Sequence, residues 1–280
     1  EEVAWAVYDH YKPFGLEDSI PRNIIGQTVS LADKFDSLVG CFAVGLIPSG
    51  SSDPFALRRA AIGIVKILIE TQLPISLSMV IARSARALSN GPRKIAVSPA
   101  VEKQVLDFLL DRARFVLKER GDLAYDEINA ALAAGADDLV EAIRRMEAIH
   151  AIRKTKNFEP LAVSFKRIRK IIEKAGPESV WKLPSVSVAH FTEEAEKELH
   201  TRAGNARREV EQHKKSGKYR EALQEIAALR PEVDRFFEKV MVMADEEQVR
   251  KNRLTLLSGL LSEFSTIADF SEIVPADLEK

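Results

Sequence analysis

Lys166, Arg169 and Lys170, in the stretch SFKRIRKII, are the residues of this sequence whose type and spacing most directly suggest chemistry. Spaced i, i+3 and i+4, they fall on one face of a helix and form a stripe of positive charge that could follow a phosphate backbone. They sit in a basic segment: between Arg153 and Lys174 there are eight basic residues (Arg153, Lys154, Lys156, Lys166, Arg167, Arg169, Lys170, Lys174) against two acids, Glu159 and Glu173, a local charge of about +6. The formal net charge of the whole chain is only −1. Acidic stretches such as 122–138 offset the surplus, so the molecule is expected to be electrically two-faced, and its pI argues neither for nor against nucleic acid. A basic helix face is also what ordinary solvated surface looks like, so the stripe alone does not decide the matter.

A second cation is placed differently. Arg112, in FLLDRARF, falls on or beside the apolar stripe of Val105, Phe108 and Phe115, where an uncompensated guanidinium is costly, so it requires a partner. That partner is either an internal carboxylate or carbonyl, or a nucleotide phosphate or base edge. Arg114, two residues on, points elsewhere around the helix. Elsewhere the chain is poor in catalytic signals. It has no phosphate-cradling glycine loop of the Walker kind, no HExxH and no nucleophile elbow, and His10 in YDHYKP has no second histidine at ligand spacing. No catalytic residue is assigned.

The elements that must carry these groups are helices. Apolar residues recur with helical period over Phe55–Glu70, Ser78–Leu88, Val101–Lys118, Leu139–Ile152, Phe165–Ile172, Tyr219–Leu229 and Phe236–Met243, while strand-like alternation is scarce, so the fold class is all-α. Ile24, Leu31, Phe35, Leu38 and Phe42 make one stripe along a buried helix, which Gly45, Pro48 and Gly50 end. Asp53 as N-cap and Pro54 at the first helical position then predict a new helix from Pro54. The stretch SNGPRKIAVSP, residues 89–99, carries Gly91, Pro92 and Pro99 and is read as a domain link, with Ser98 and Pro99 opening the next helix. A second break, 176–190, has two prolines and Trp181 and is expected to wrap across a bundle surface. Met241 and Met243 are expected in core or interdomain packing.

At 280 residues, with 46% hydrophobic and 30% charged, the chain suits two domains with substantial cores. The longest apolar run, around Val39–Ile47, is about half what a bilayer helix needs, so no membrane partner is expected. The single cysteine, Cys41, permits no disulfide framework and no cysteine-based zinc site, which fits a reducing cytoplasm.

Two blocks carry a resemblance. SLADKFDSLVGCFAVGLIPSGSSDPFALRRAA (30–61) closely resembles the β subunit of the bacterial two-subunit glycyl-tRNA synthetase, and FFEKVMVMADEEQVRKNRLTLL (236–257) resembles the signature that closes the helical, DALR-like anticodon-binding domain of that subunit. AVYDHYKP, FLLDRARFVL and ADFSEIV extend the likeness over nearly the whole chain. In that family the subunit is much longer, and this chain starts at Glu1 without a methionine, so it is expected to be a C-terminal fragment. The resemblance implies that residues 1–90 complete an HD-like helical domain, 91–97 link it, and 98–280 form the anticodon-binding bundle.

The same resemblance implies roles. The partners would be glycine tRNA and the α subunit, in a heterotetramer. ATP and magnesium would act at the α subunit, where the adenylate-forming motifs lie, and this fragment would hold no cofactor and position tRNA in the cytoplasm. Arg112, Lys166, Arg167, Arg169, Lys170, Asn252 and Arg253 would contact tRNA: Lys166 and Arg167 match the family's basic pair after an aromatic residue, and Asn252 and Arg253 match the closing signature with side chains suited to base edges. Packing through Asn–carbonyl and Arg–carboxylate contacts is the other reading of those two. Lys170 stands where the family usually has asparagine, a departure that leaves open whether a base-reading contact is replaced here by a phosphate contact. SLADKFD resembles the last helix of the HD metal-dependent phosphohydrolase fold, with Asp33 at the metal-ligand position, but a lone carboxylate does not hold a divalent ion tightly. A phosphohydrolase remnant and a structural scaffold for subunit assembly are the alternatives.

Overall fold

A computed structural model describes residues 1–274 as an all-α protein; among these, β-pairing is confined to an isolated bridge between Ser49 and Ser52. Two compact units are present, one formed by Glu1–Leu123 with Ala136–Ile143, the other by Ala124–Gly135 with the chain from Arg144 on.

The first unit contains α1 (Glu2–Asp9), α2 (Ile24–Ala43), α3 (Leu57–Thr71), α4 (Leu77–Asn90) and α5 (Pro99–Arg120). α2 is central: α1, α3, α4 and α5 all pack on it. Its stripe of Leu31, Phe35, Leu38 and Phe42 is buried as the spacing predicts, against Ile64, Ile67 and Leu68 of α3, Ile81 of α4 and Val105 and Leu109 of α5. Phe42 meets Phe108 with ring centroids 5.2 Å apart. The segment 89–99 is therefore not a boundary between the compact units. It is a turn inside the first one, because α5 uses its buried face on α2, α3 and α4. Ser98 caps α5 and Pro99 opens it as predicted. At α3 the cap acts at longer range than predicted. The Asp53 carboxylate accepts from the amides of Leu57 and Arg58, and Ala56 lies in the left-handed region, so the helix begins at Leu57 rather than Pro54.

A buried lysine organises this unit. Lys34, in the middle of α2, is 6% exposed, and its ammonium donates to the carbonyls of Lys12 (3.0 Å) and Tyr11 (3.2 Å), lies 3.4 Å from that of His10, and donates to the Ser30 hydroxyl (2.7 Å). Ser30 in turn donates to the Lys12 carbonyl. These carbonyls follow the end of α1, where no intrahelical amide reaches them. Burial pushes the Lys34 ammonium below the usual lysine range, against the opposing pull of Asp33. The stem of Lys34 runs beside Gly63 of α3: a β-carbon there would lie 2.7 Å from Lys34 Cε and 3.1 Å from Cδ.

The second unit contains α6 (Tyr125–Ala133), most of α7 (Leu139–Arg153), α8 (Phe158–Lys174), α9 (Glu178–Trp181), α10 (Glu194–Lys215), α11 (Tyr219–Ala227), α12 (Arg230–Lys239) and α13 (Glu247–Phe264), with 3-10 turns at Val188–His190 and Phe270–Glu272. α13 is its central helix; every residue from Asn252 to Ser258 is buried, which a surface helix with one apolar stripe would not show. Phe270 closes the core against Phe158 and Phe165 at centroid distances of 5.8 and 5.0 Å. The break at 176–190 does wrap the bundle. Trp181 is buried, and the strap is pinned to α13 where the Leu183 amide donates to the Thr255 hydroxyl and the Ser187 amide to the Asn252 side chain.

Because the Lys34 ammonium is held at several points, its stem cannot swing aside to admit a methyl group at position 63. Gly63→Ala is expected to lower stability by about 1–3 kcal/mol through overpacking, although alanine is the better helix former by about 1 kcal/mol. Gly40→Ala on α2, whose β-carbon would meet only Leu88 Cδ1 at an ordinary 3.8 Å, is the control and should be neutral or stabilising. Thermal unfolding of the two variants tests the difference.

Candidate nucleic-acid interface

α8 is amphipathic in the simplest sense. Phe158, Leu161, Ala162, Phe165 and Ile168 face the core of the second unit, and Val163, Lys166, Arg167, Lys170 and Lys174 face solvent. The predicted stripe is thus present but composed differently. Arg169 leaves it, because its position lies a helical step round from Lys170, toward the Phe270–Glu272 turn, where its guanidinium donates to the Asp269 carboxylate at 2.6 Å. Lys174 takes its place, giving Lys166, Lys170 and Lys174 at i, i+4 and i+8. Arg153 is also withdrawn from the basic surplus. It is buried and pairs with Asp126 (2.7 Å) and Glu127 (3.4 Å) while donating to the Val274 carbonyl. Six exposed cations remain in the segment: Lys154, Lys156, Lys166, Arg167, Lys170 and Lys174, none with a carboxylate partner among the described residues.

Arg167 is the only one of the six whose side chain has a defined contact among the described residues. Its guanidinium carbon lies over the ring of Phe237 on α12, 4.1 Å from the centroid. Phe237 is half-buried and set edge-on to the fully buried Phe236.

Asn252 and Arg253, expected as candidate base readers, are interior residues. The Asn252 side chain is fully buried, accepting from the Ser187 amide (2.8 Å) and donating to the Ser187 carbonyl (3.0 Å), so both of its polar ends serve the strap. Arg253 is 5% exposed and clamps Glu196 of α10 with Nε and Nη2 at 3.0 and 3.1 Å; it also donates to the Met241 carbonyl (2.8 Å) and the Thr192 hydroxyl (2.6 Å). Glu196 has no exposed surface and also accepts from the amides of Thr192 and Glu193, which caps α10. Burial pushes the Glu196 carboxyl up, but the hydrogen bonds from Arg253 and the two amides outweigh it and leave the group below the usual carboxylate range. Asn–carbonyl and Arg–carboxylate packing therefore accounts for both residues, and neither side chain is available to a base.

Arg112 belongs to the first unit, not to the bundle around α8. It is half-buried, its guanidinium pairs with the neighbouring Asp111, and it lies about equally over the rings of Phe108 (6.0 Å) and Phe115 (5.9 Å). Asp111 is an exposed neighbour, and the buried Nε of Arg112 has no hydrogen-bond partner among the described residues. Asp33 is exposed on α2, and the described residues contain no group of three or more His, Cys, Asp or Glu side chains able to hold a metal ion. His10 stacks on Tyr11 and sits 2.7 Å from the Val7 carbonyl, a packing position at the end of α1.

One surface feature opposes the expectation for the methionines. The predicted helix over Phe236–Met243 stops at Lys239; Val240 is extended and the chain bends at Val242 and Met243, with Val240 and Val242 buried (6% and 7% exposed) and Met241 and Met243 outside (75% and 51%). The alternation V-M-V-M is the sequence signal for this, since a period of two residues places alternate side chains on opposite faces.

The Arg253–Glu196 pair generates a sharp expectation. Arg253→Ala leaves a buried carboxylate uncompensated and should cost about 3–5 kcal/mol in urea denaturation. On the acid side the sign follows from the lowered Glu196 pKa: its contribution is complete above the unfolded-state carboxylate value of about 4.3 and is lost as pH falls through the lower folded value. Glu196→Gln should flatten that region of the stability profile.

Comparison with known proteins places both units. Residues 1–133 match the family described as glycyl-tRNA synthetase beta subunit, and residues 161–270 match the DALR anticodon binding domain. The glycine–tRNA ligase beta subunit of Acidobacterium capsulatum is 43% identical over 278 residues, covering 98% of this chain and 39% of that protein. Those of Geobacter sp. strain M21 and Desulforapulum autotrophicum are 44% and 40% identical over 274 and 272 residues, covering 98% and 97% of this chain and 38% of each of those proteins. The chain therefore spans about two fifths of the length of the curated relatives it matches. With residues 1–133 matching the beta-subunit family, 161–270 matching the anticodon-binding domain, and beta subunits similar over nearly all of this chain, the chain belongs to the glycyl-tRNA synthetase beta subunit family and carries a DALR-type anticodon-binding region.

Proposed function

We propose that the second unit binds the anticodon arm of glycine tRNA through the exposed face of α8 and holds it for aminoacylation by the α subunit of a heterotetrameric synthetase in the cytoplasm. ATP and magnesium act at that α subunit, and this chain contributes binding and positioning. The observation that carries the reading is the exposed set Lys166, Arg167 and Lys170, without carboxylate partners among the described residues, within the segment that matches an anticodon-binding domain. Cations already consumed by carboxylates, such as Arg169 and Arg253, offer little to RNA; these three offer full charge at a regular helical spacing along which phosphates can lie. No helix among the described residues is long and apolar enough to cross a membrane.

Titration of the chain with glycine tRNA and with an anticodon-swapped control, at two salt concentrations, tests the proposal. Lys166→Ala and Lys170→Ala should weaken both RNAs similarly and reduce the slope of log affinity against log salt by about 0.7–0.9 each. Arg169→Ala should instead appear chiefly as lost stability through Asp269. Wild-type affinity and salt slope in the folded Lys166→Ala/Lys170→Ala double variant would remove α8 from the interface.

A further inference from the structure

Arg167 and Phe237 form a stack on the same surface that the charges alone do not explain. A cation that serves only solubility or phosphate attraction has no need of an aromatic partner, yet the guanidinium carbon of Arg167 lies over a ring, 4.1 Å from its centroid. The ring is itself oriented by its edge contact with buried Phe236, centroids 5.7 Å apart and planes at 79°. Arg167 is exposed and has no carboxylate partner among the described residues, so it is accessible to a ligand from solvent. Beside it on α8 stand Lys166 and Lys170, and four and six residues beyond Phe237 the chain presents Met241 and Met243 to solvent on a segment fixed by the Arg253 bond to the Met241 carbonyl.

A planar cation backed by a ring, and neighboured on α8 by lysines with no carboxylate partner among the described residues, matches one ligand chemistry. The free lysines neutralise phosphates, and a guanidinium plane stacks on the π-face of a base that is not already paired. A duplex has no such face to offer. We infer that the Arg167–Phe237 pair is the stacking platform for one unpaired base of the anticodon loop, a contact that selects looped over helical RNA whatever the base. The inference rests on the anticodon-arm reading of α8 and adds to it the residue pair that meets a base.

The test uses the 280-residue chain and glycine tRNA transcripts carrying 2-aminopurine at single anticodon-loop positions, with affinity measured in parallel at two salt concentrations. Arg167→Lys keeps the charge and loses the plane, Phe237→Leu keeps apolar bulk and loses the ring, and Lys170→Ala removes a charge only. One loop position should change fluorescence on binding, and that change should vanish in Arg167→Lys and Phe237→Leu but persist in Lys170→Ala. Affinity should fall roughly 5- to 150-fold in the first two with an unaltered salt slope. If Phe237→Leu does not fold by circular dichroism, Arg167→Lys, a surface change, decides alone. Unchanged fluorescence and affinity in Arg167→Lys, with tRNA still bound, would overturn the platform and leave the α8 reading standing. Absence of tRNA binding by the unaltered chain at low salt would overturn both.

Discussion

The second unit depends on a guanidinium and a carboxylate placed where water does not reach. Glu196 and Arg253 come from different helices, α10 and α13, and each is satisfied on every side: the carboxylate by Arg253 and two backbone amides, the guanidinium by the carboxylate, a hydroxyl and the Met241 carbonyl. Such a pair adds little net stability over a well-packed apolar alternative, yet it tolerates no other arrangement, since a shift of either helix strands a charge in the core. It fixes at one point the start of α10, the middle of α13 and the Val240–Met243 segment after α12. Asn252, one residue before, does the same for the strap with a neutral amide.

Much of this architecture is legible in the sequence. The α2 stripe, the Ser98–Pro99 start of α5 and the all-helical class follow from local periodicity and capping, which need no knowledge of partners. Legibility fails where the long-range partner decides. Asp53 reads as an ordinary N-cap, but its carboxylate reaches past Pro54 to the amides of Leu57 and Arg58 because Ala56 takes a left-handed backbone. Positions 89–99 have the composition of a linker. They remain within one unit because the buried face of α5 finds α2 and α3, contacts far apart in the chain.

The candidate site shows the same division. Residue type alone nominates Asn252 and Arg253 for base edges, and nothing local reveals that Ser187 and Glu196, more than fifty residues upstream, already occupy them. Lys166 and Lys170 read as free cations and have no carboxylate partner among the described residues, whereas Arg169, between them in sequence, is claimed by Asp269, a hundred residues away. The one failure with a local remedy is the Phe236–Met243 segment. Its Val–Met alternation is a signal of period 2, masked because the residues before it have period 3.6.

That alternation also sets the chain's chemical vulnerability. Thioethers as open to solvent as those of Met241 and Met243 are among the side chains an oxidant reaches first, and conversion to sulfoxide makes an apolar group polar. In a core this would loosen packing. Here the adjacent valines keep the segment seated and Arg253 holds its backbone from within, so oxygen would be added to the surface while the fold beneath stays unmarked. Peroxide damage to this part of the protein would therefore be recorded at Met241 and Met243 before it is felt as unfolding, and a methionine sulfoxide reductase would find both positions within reach.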